Sequence, residues 1–507
     1  MMTRLLNCLA LLAFCAPVFA GSVRVHADSE ARSLPLVGFN SNAMNSPLDL
    51  DAYRERVVTL APQLLRYPGG TVGDHFDWRA GWLDIETLPA ELSWWADVPE
   101  RPLRPGDMSG VLRQVASEPV LAVNAFSSTA EEQAGMLRRF RDLLGVVPFV
   151  ELGNEYYFDF PRYLQRYAEP ADYAREMNDW LPVLRQAAPE AEFCVIAASP
   201  HSASASQRQR DWNEAVFGIV DGVDAACFHP YFGTLTRSEL ESPDGMARLF
   251  SIPFRRWERF RDTELAALPT GWQAWITEYN LFAPDDPGVR DTWLHGLLHA
   301  LYTMLLMEDE RITMLLSHQL AGNPSFAAIR TRFPLDDPQP FELSASGHGI
   351  AMMFEALSRR STGVRLHFEA GPEITVVSPE GTAIYPALVG WELDGQALLV
   401  VHLGESPTSL DLSEVARCPA NDRRQTDRRR DERFRGPASV RGIDPGERSP
   451  VAPPGGWVVT TLASVDALES GLSPRRSADV VESSRITVEP LSLVHVERNC
   501  SDLPERP

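Results

Sequence analysis

Two short strings hold the side chains best suited to chemistry. ELGNEYYF (151–158) carries Glu155, and WITEYN (275–280) carries Glu278. Each glutamate closes a run that otherwise reads as a buried strand. Charged side chains are rarely buried unless they are paired or working. Two carboxylates facing each other across one cleft are what cleavage of a glycosidic bond needs, one as acid/base and one as nucleophile. The bland alternative is that each glutamate pairs with an arginine at a strand end. Two glutamates in corresponding places weigh against it.

Other polar residues fall into place around this pair. Asn154 directly precedes Glu155. FHPY (228–231) puts His229 and Tyr231 on one face of a strand, and LLRYPGG (64–70) carries Arg66. A guanidinium beside a carboxylate lowers its pKa and keeps it ionised, so Arg66 suits a place next to Glu278. Glu151 is expected to pair with Arg66 or another buried donor, since an unpaired buried charge is costly. The loop after LLRYPGG holds Trp78, Trp82, Trp94 and Trp95. Aromatic faces stack on sugar rings, and the Trp94–Trp95 pair suits a cleft or lid. Tyr156, Tyr157 and Phe158 suit the same role, and Gln319 could contact a hydroxyl. The histidines are dispersed, with no H-E-x-x-H and no C-x-x-C, so neither a metal site nor a cofactor is expected.

The elements that must position these residues repeat from about 35 to 358: a short apolar strand, a loop, an amphipathic helix. The strands are LVGFN (36–40), LLRYPGG (64–70), VLAVNAF (120–126), FVELGNE (149–155), FCVIAAS (193–199), AACFHPY (225–231), AWITEYN (274–280) and MLLSHQL (314–320). They are apolar almost throughout, as parallel strands covered on both faces must be. Eight such units point to an α/β (β/α)8 TIM barrel, whose site lies at the C-terminal strand ends. No G-x-G-x-x-G turn supports a doubly wound sheet. A capping box from Ser128 to Glu131 opens the helix after the third strand. From 359 to 507 the pattern changes to short strands split by turns, a β-sandwich signature. The segment 21–34 supplies a further strand to that sandwich. A densely charged stretch at about 418–455 reads as a solvated insertion.

These motifs resemble clan A of the glycoside hydrolases, whose members carry G-N-E after the fourth barrel strand and a second glutamate at the seventh. LRYPGGTVGDHFDWRAG (65–81) and FHPY are similar to the second- and sixth-strand segments of family 51 α-L-arabinofuranosidases and their relatives. The resemblance implies a retaining hydrolase of poly- or oligosaccharides, with Glu155 as acid/base and Glu278 as nucleophile. It places Asn154 against the hydroxyl next to the anomeric carbon, Arg66 beside the nucleophile and Tyr231 as a donor to Glu278. His229 would orient the acid/base or touch sugar. Retention requires carboxylates about 5–5.5 Å apart, inversion roughly 6.5–9.5 Å. Two positions depart from the family. Asn40 or Asn42 stands where the arabinofuranosidases have a sugar-binding glutamate, and Thr71 stands where they have asparagine. An endo-acting glycanase, a uronidase and, in a different class, a non-catalytic glycan-binding or matrix protein remain open.

Composition narrows the partners. The net charge is -22 and the basic residues are all arginine, a balance that repels nucleic acid and anionic membranes. A basic start, an apolar run and small residues at Val18 and Ala20 make 1–20 read as a signal peptide, implying a secreted or periplasmic protein. No later apolar run approaches the roughly 20 residues of a membrane span. Cys194 and Cys227 fall in strands and are expected to be buried thiols. Cys418 and Cys500 could form a bridge in an oxidising compartment. Oligomeric state is not legible.

Overall fold

The structure, a computed structural model, describes residues 22–200, 205–282, 288–322, 326–331, 341–378, 381–415, 451–454, 456–464, 467–468 and 472–500. The segment 1–20, most of the charged stretch at 418–455 and Cys418 lie outside the described residues. Cys500 is disulfide-bonded, and Cys194 and Cys227 are free and buried. Among the described residues no helix is long and apolar enough to cross a membrane.

Eight parallel strands close into a barrel. They are β1 (Leu36–Asn40), β2 (Leu64–Tyr67), β3 (Glu118–Ala122), β4 (Phe149–Glu151), β5 (Glu192–Ile196), β6 (Ala225–Phe228), β7 (Gln273–Tyr279) and β8 (Ile312–His318). Each is hydrogen-bonded to its neighbours in sequence, and β8 closes on β1. Every residue of β2 and β6 is buried, which is why these runs carry no polar alternation. In β1 the chain passes so near β2 that a Cβ on Gly38 would meet the Leu64 carbonyl oxygen at 2.0 Å. Only glycine fits there.

Several of the helices have side-chain caps at their N-termini. Helix Ala130–Leu144 starts one residue later than the capping box suggests. Its cap is Thr129, whose Oγ1 accepts from Glu132 N, while Ser128 Oγ accepts from Gln133 Nε2 at 2.9 Å. Helix Trp293–Leu306 is buried along its whole length. It is wedged between the barrel and the C-terminal β-domain, donating from Trp293 Nε1 to the Leu491 carbonyl and accepting from Trp391 Nε1 at Met304 O. A helix apolar all round is the sequence mark of such a position.

The β-domain is a 10-stranded, mostly antiparallel sheet folded over a core of its own that includes Val25, Leu366, Leu398, Val459 and Val494. The strand Thr362–Glu369 bends between two layers. Its first half pairs with Leu388–Leu393 and its second half with the N-terminal strand Val23–Ala27. Val23–Ala27 also runs parallel to Thr408–Asp411. Trp391, Leu399 and Leu493 belong instead to the continuous barrel core, so the two domains share one apolar interior. ITVVS and TAIYP form a separate hairpin, Glu373–Ser378 with Gly381–Pro386, in which Tyr385 stacks on Phe254 of helix Gly245–Phe260 at 5.0 Å. The strand Arg475–Val481 had no signal in the sequence: it ends the sheet and is largely exposed. An edge strand of that kind needs no apolar run.

Candidate active site

Glu278 sits inside β7, near its C-terminal end, with 4% of its surface exposed. Its anion is held from several sides. Arg66 Nη1 donates to Oε1 at 2.6 Å, Asn40 Nδ2 donates to the same oxygen at 2.8 Å, and the Tyr231 hydroxyl donates to Oε2 at 2.6 Å. Burial pushes the Glu278 pKa up, but the positive field of His229, His318 and Arg66 and the bond from Tyr231 outweigh it, leaving about 2. His318 itself has a lowered pKa, with burial the largest cause. At neutral pH the working cations are therefore Arg66 and His229.

Arg66 organises the floor of the site. Besides Glu278 it donates from Nε to Glu151 Oε2 at 2.5 Å and from Nη2 to Asn154 Oδ1 at 2.9 Å. Arg66 and Glu151 are both fully buried. The planar guanidinium can serve three acceptors at once, which an ammonium cannot. Glu151 also accepts from Thr277 Oγ1 at 2.9 Å. Burial raises the Glu151 pKa, yet Arg66 and His229 bring it below the usual value.

Glu155 does not end a strand. β4 stops at Glu151, four residues earlier, and the chain turns out through Gly153 at φ 107° to Glu155 at φ 49°. The alternation that would put Glu151, Gly153 and Glu155 on one strand face therefore does not apply. A Cβ on Gly153 would lie 2.5 Å from Tyr156, so this turn requires glycine. Left-handed backbone at a glutamate is strained and is found where surrounding structure over-determines it. The side chain is fixed on one oxygen: Tyr157 donates to Glu155 Oε1 at 2.9 Å, and His229 Nδ1 lies 2.9 Å from the same atom.

His229 spans the site. Its Nε2 is 3.0 Å from Thr277 Oγ1, a hydroxyl already committed to Glu151, so both ring nitrogens face acceptors. Burial lowers its pKa, but Glu278, Glu151 and Glu155 raise it further, to about 10. One oxygen each of Glu155 and Glu278 and a ring nitrogen of His229 lie within 4.8 Å of one another. Such a cluster could ligate a divalent cation. Here the imidazole holds its proton at neutral pH, and Arg66 and Tyr231 already occupy the Glu278 oxygens, so the donor set does not fit a metal.

Above the pair lies a cavity of about 310 Å³, with Asn42, Thr71, Trp95, Ser199 and Phe282 among its walls. Glu155, Glu278, His229 and Tyr231 reach it, while Arg66, Glu151 and Asn154 lie beneath. Five expectations need correction. Asn154 and Tyr156 are buried and off the cavity wall. Asn40 is not on the cavity wall but lies behind Glu278, to which it donates, and Asn42 lines the wall instead. Trp94 is 58% exposed and off the wall, whereas its neighbour Trp95 is 7% exposed and lines it. Gln319 is off the wall too, packed so closely beneath Gly322 that a Cβ there would meet its Nε2 at 2.8 Å. The residue missed was the one before it. His318 lines the cavity with Nδ1 3.0 Å from Asn40 Nδ2 and 3.3 Å from Glu278 Oε2. A histidine closing a largely apolar strand was the available signal.

No family model matches the chain, and no curated protein matches it in sequence. Solved structures match along nearly its whole length. A family 51 α-L-arabinofuranosidase from Bifidobacterium longum superposes with a TM-score of 0.64 at 14% identity, over 94% of this chain and 99% of that one. The fold is that of the family 51 arabinofuranosidases. The α-L-arabinofuranosidase of Thermotoga maritima gives 0.61 at 15% identity, over 94% and 100%. A 4-O-α-L-rhamnosyl-β-D-glucuronidase from Fusarium oxysporum gives 0.55 at 12%, over 94% and 99%. The arabinofuranosidase fold thus accommodates two sugar chemistries among these structures, and at such identities the likeness is one of architecture.

Proposed function

We propose that the chain is a retaining glycoside hydrolase of the clan A type. Glu278 attacks the anomeric carbon, and the bond from that carbon to the leaving oxygen breaks as Glu155 gives that oxygen a proton. Water then loses a proton to Glu155 and its oxygen bonds to the same carbon, releasing Glu278. The observation that carries this reading is that one oxygen of Glu155 lies within 4.8 Å of one oxygen of Glu278, on the short side of the roughly 6.5–9.5 Å between carboxyl groups that inversion needs. The division of labour follows from their surroundings. Arg66, Asn40 and Tyr231 hold Glu278 as an anion ready to attack. Both protein donors to Glu155 use Oε1, leaving Oε2 for the leaving group.

The substrate is read as a neutral sugar. No arginine is among the described residues lining the cavity, the chain has no lysine, and Arg66 is buried and committed to three partners. Among the described residues the one cation on the wall is His229, whose two ring nitrogens already face Glu155 and Thr277, so a uronic acid carboxylate would have to displace one of them, which disfavours the uronidase reading. Arabinofuranosides are the first class to try, because structures sharing the fold carry that activity in their names. Export is proposed from the sequence of residues 1–20 alone. The test is a screen of aryl glycosides and polysaccharides with wild type and Glu278→Ala side by side. The reading requires turnover by wild type and its loss in the variant. A non-catalytic glycan-binding protein would bind sugar equally in both and cleave none.

A further inference from the structure

His318 presents one nitrogen to the protein and the other to the cavity. Its Nδ1 lies 3.0 Å from Asn40 Nδ2 and 3.3 Å from Glu278 Oε2. Its Nε2 has no hydrogen-bond partner among the described residues, and 18% of the side chain is exposed on a wall of the cavity. The two neighbours of Nδ1 make opposite demands. Asn40 asks for a lone pair there, and Glu278 asks for a proton.

Asn40 decides between them. Its amide orientation is not free, because turning it over would put Oδ1 against the ionised Glu278 Oε1, 2.8 Å from the present Nδ2. Two acceptors cannot share that contact. Gly69 (φ 85°) makes room for the carboxamide, since a Cβ there would lie 2.2 Å from Asn40 Oδ1. One amide hydrogen therefore goes to Glu278 and the other points at His318 Nδ1, which must accept it. A neutral imidazole that accepts at one nitrogen carries its proton on the other.

The geometry points to His318 as a specificity-determining donor: Asn40 pins the ring with Nδ1 as acceptor, and Nε2–H is presented to a hydroxyl of the bound sugar. This rests on the hydrolase reading and sharpens it, because it adds a neutral donor beside the nucleophile, suited to a hydroxyl. The charge state agrees. Burial is the largest influence and lowers the His318 pKa; Glu278 and Glu155 pull it up, and His229 and Arg66 reinforce burial. The ring is neutral at pH 7, so the 3.3 Å approach to Glu278 is not an ion pair.

Two measurements on the full-length protein test this. The first is NMR of protein labelled with 15N-histidine, with the His318 signals assigned by their loss in His318→Asn. The proposal requires an unprotonated Nδ1 and a protonated Nε2 at neutral pH; a protonated Nδ1 overturns it. The second is kinetics on a glycoside that the wild type cleaves. His318→Asn keeps an acceptor for Asn40 but has no group reaching the cavity, and kcat/KM should fall about tenfold, the loss of one neutral hydrogen bond. His318→Gln restores an amide donor near the Nε2 position and should recover most of that loss. A glutamine variant no better than the asparagine one defeats the proposal. A wild type that cleaves no glycoside defeats the hydrolase reading instead, and the two failures have different signatures.

Discussion

An oxygen of Glu155 and an oxygen of Glu278 lie within 4.8 Å of each other, although one is on a strand and the other on a strained turn. If this spacing works as proposed, the product must keep the anomeric configuration of the substrate. Following the first product by proton NMR before mutarotation decides it; an inverted product would show that a water, not Glu278, makes the attack.

The two glutamates should fail differently. On the proposed mechanism Glu278→Ala removes the nucleophile and should lower kcat about 10⁴-fold or more on every substrate. Glu155→Ala removes the acid, a loss of about 10²–10⁴-fold that should shrink for dinitrophenyl glycosides, whose leaving groups need no proton. Equal losses across leaving groups would contradict the assignment of Glu155.

The backbone at Glu155 gives a prediction about stability. Left-handed φ costs an L-residue about 1–2 kcal/mol and glycine almost nothing. Glu155→Gly should therefore be more stable than Glu155→Ala by about 1 kcal/mol in urea unfolding, the reverse of the usual order. Equal stabilities would mean that the turn relaxes when the side chain is removed.

Buried charge makes the stability depend on pH in two windows. His229 has its pKa raised to about 10 from 6.5, so its contribution is complete below about pH 6.5 and fades as pH rises to about 10. Glu278, lowered to about 2 from 4.5, contributes fully above about pH 4.5, and the contribution is lost as pH falls towards 2. The stability difference between wild type and His229→Gln, on the order of a few kcal/mol at pH 6, should narrow by pH 10. A difference constant from pH 6 to 10 would mean that the ring is neutral.

Arg66 cannot be replaced cheaply. Arg66→Met leaves Glu151 without its cation and should cost about 3–5 kcal/mol in stability, the usual result of orphaning a buried charge. The test is urea unfolding of wild type, Arg66→Met and the double variant Arg66→Met/Glu151→Gln. Restoring neutrality in the double variant should return part of the loss; no recovery would place the cost in packing.

Periodicity located all eight barrel strands, because strands buried on both faces must be apolar and the sequence records that directly. It could not mark where β4 ends. Leu152 and Gly153 continue the run in composition, and only the positive φ of Gly153, which sequence does not display, turns Glu155 out of the strand. The same blindness to direction assigned the cavity to Asn40, Trp94 and Gln319. Each lies next to a residue that does line it, Asn42, Trp95 and His318, and an error of one or two positions in a loop rotates a side chain to another neighbour. Arg66 was legible because it sits inside β2, where period-2 geometry holds, whereas Tyr231 lies three residues past the end of β6 and reaches Glu278 from the loop.

The N-terminal strand imposes an order in time. Arg24 pairs with Glu369, 345 residues further along the chain. Synthesis at about 5–20 residues per second separates the two by roughly 20–70 s. Val23–Ala27 is thus made well before its partner and must wait for that partner until Glu369 has been added. A barrel built in the meantime waits for a strand that precedes it in the chain to seal the β-domain, so the completed fold reports that synthesis has passed well beyond the barrel.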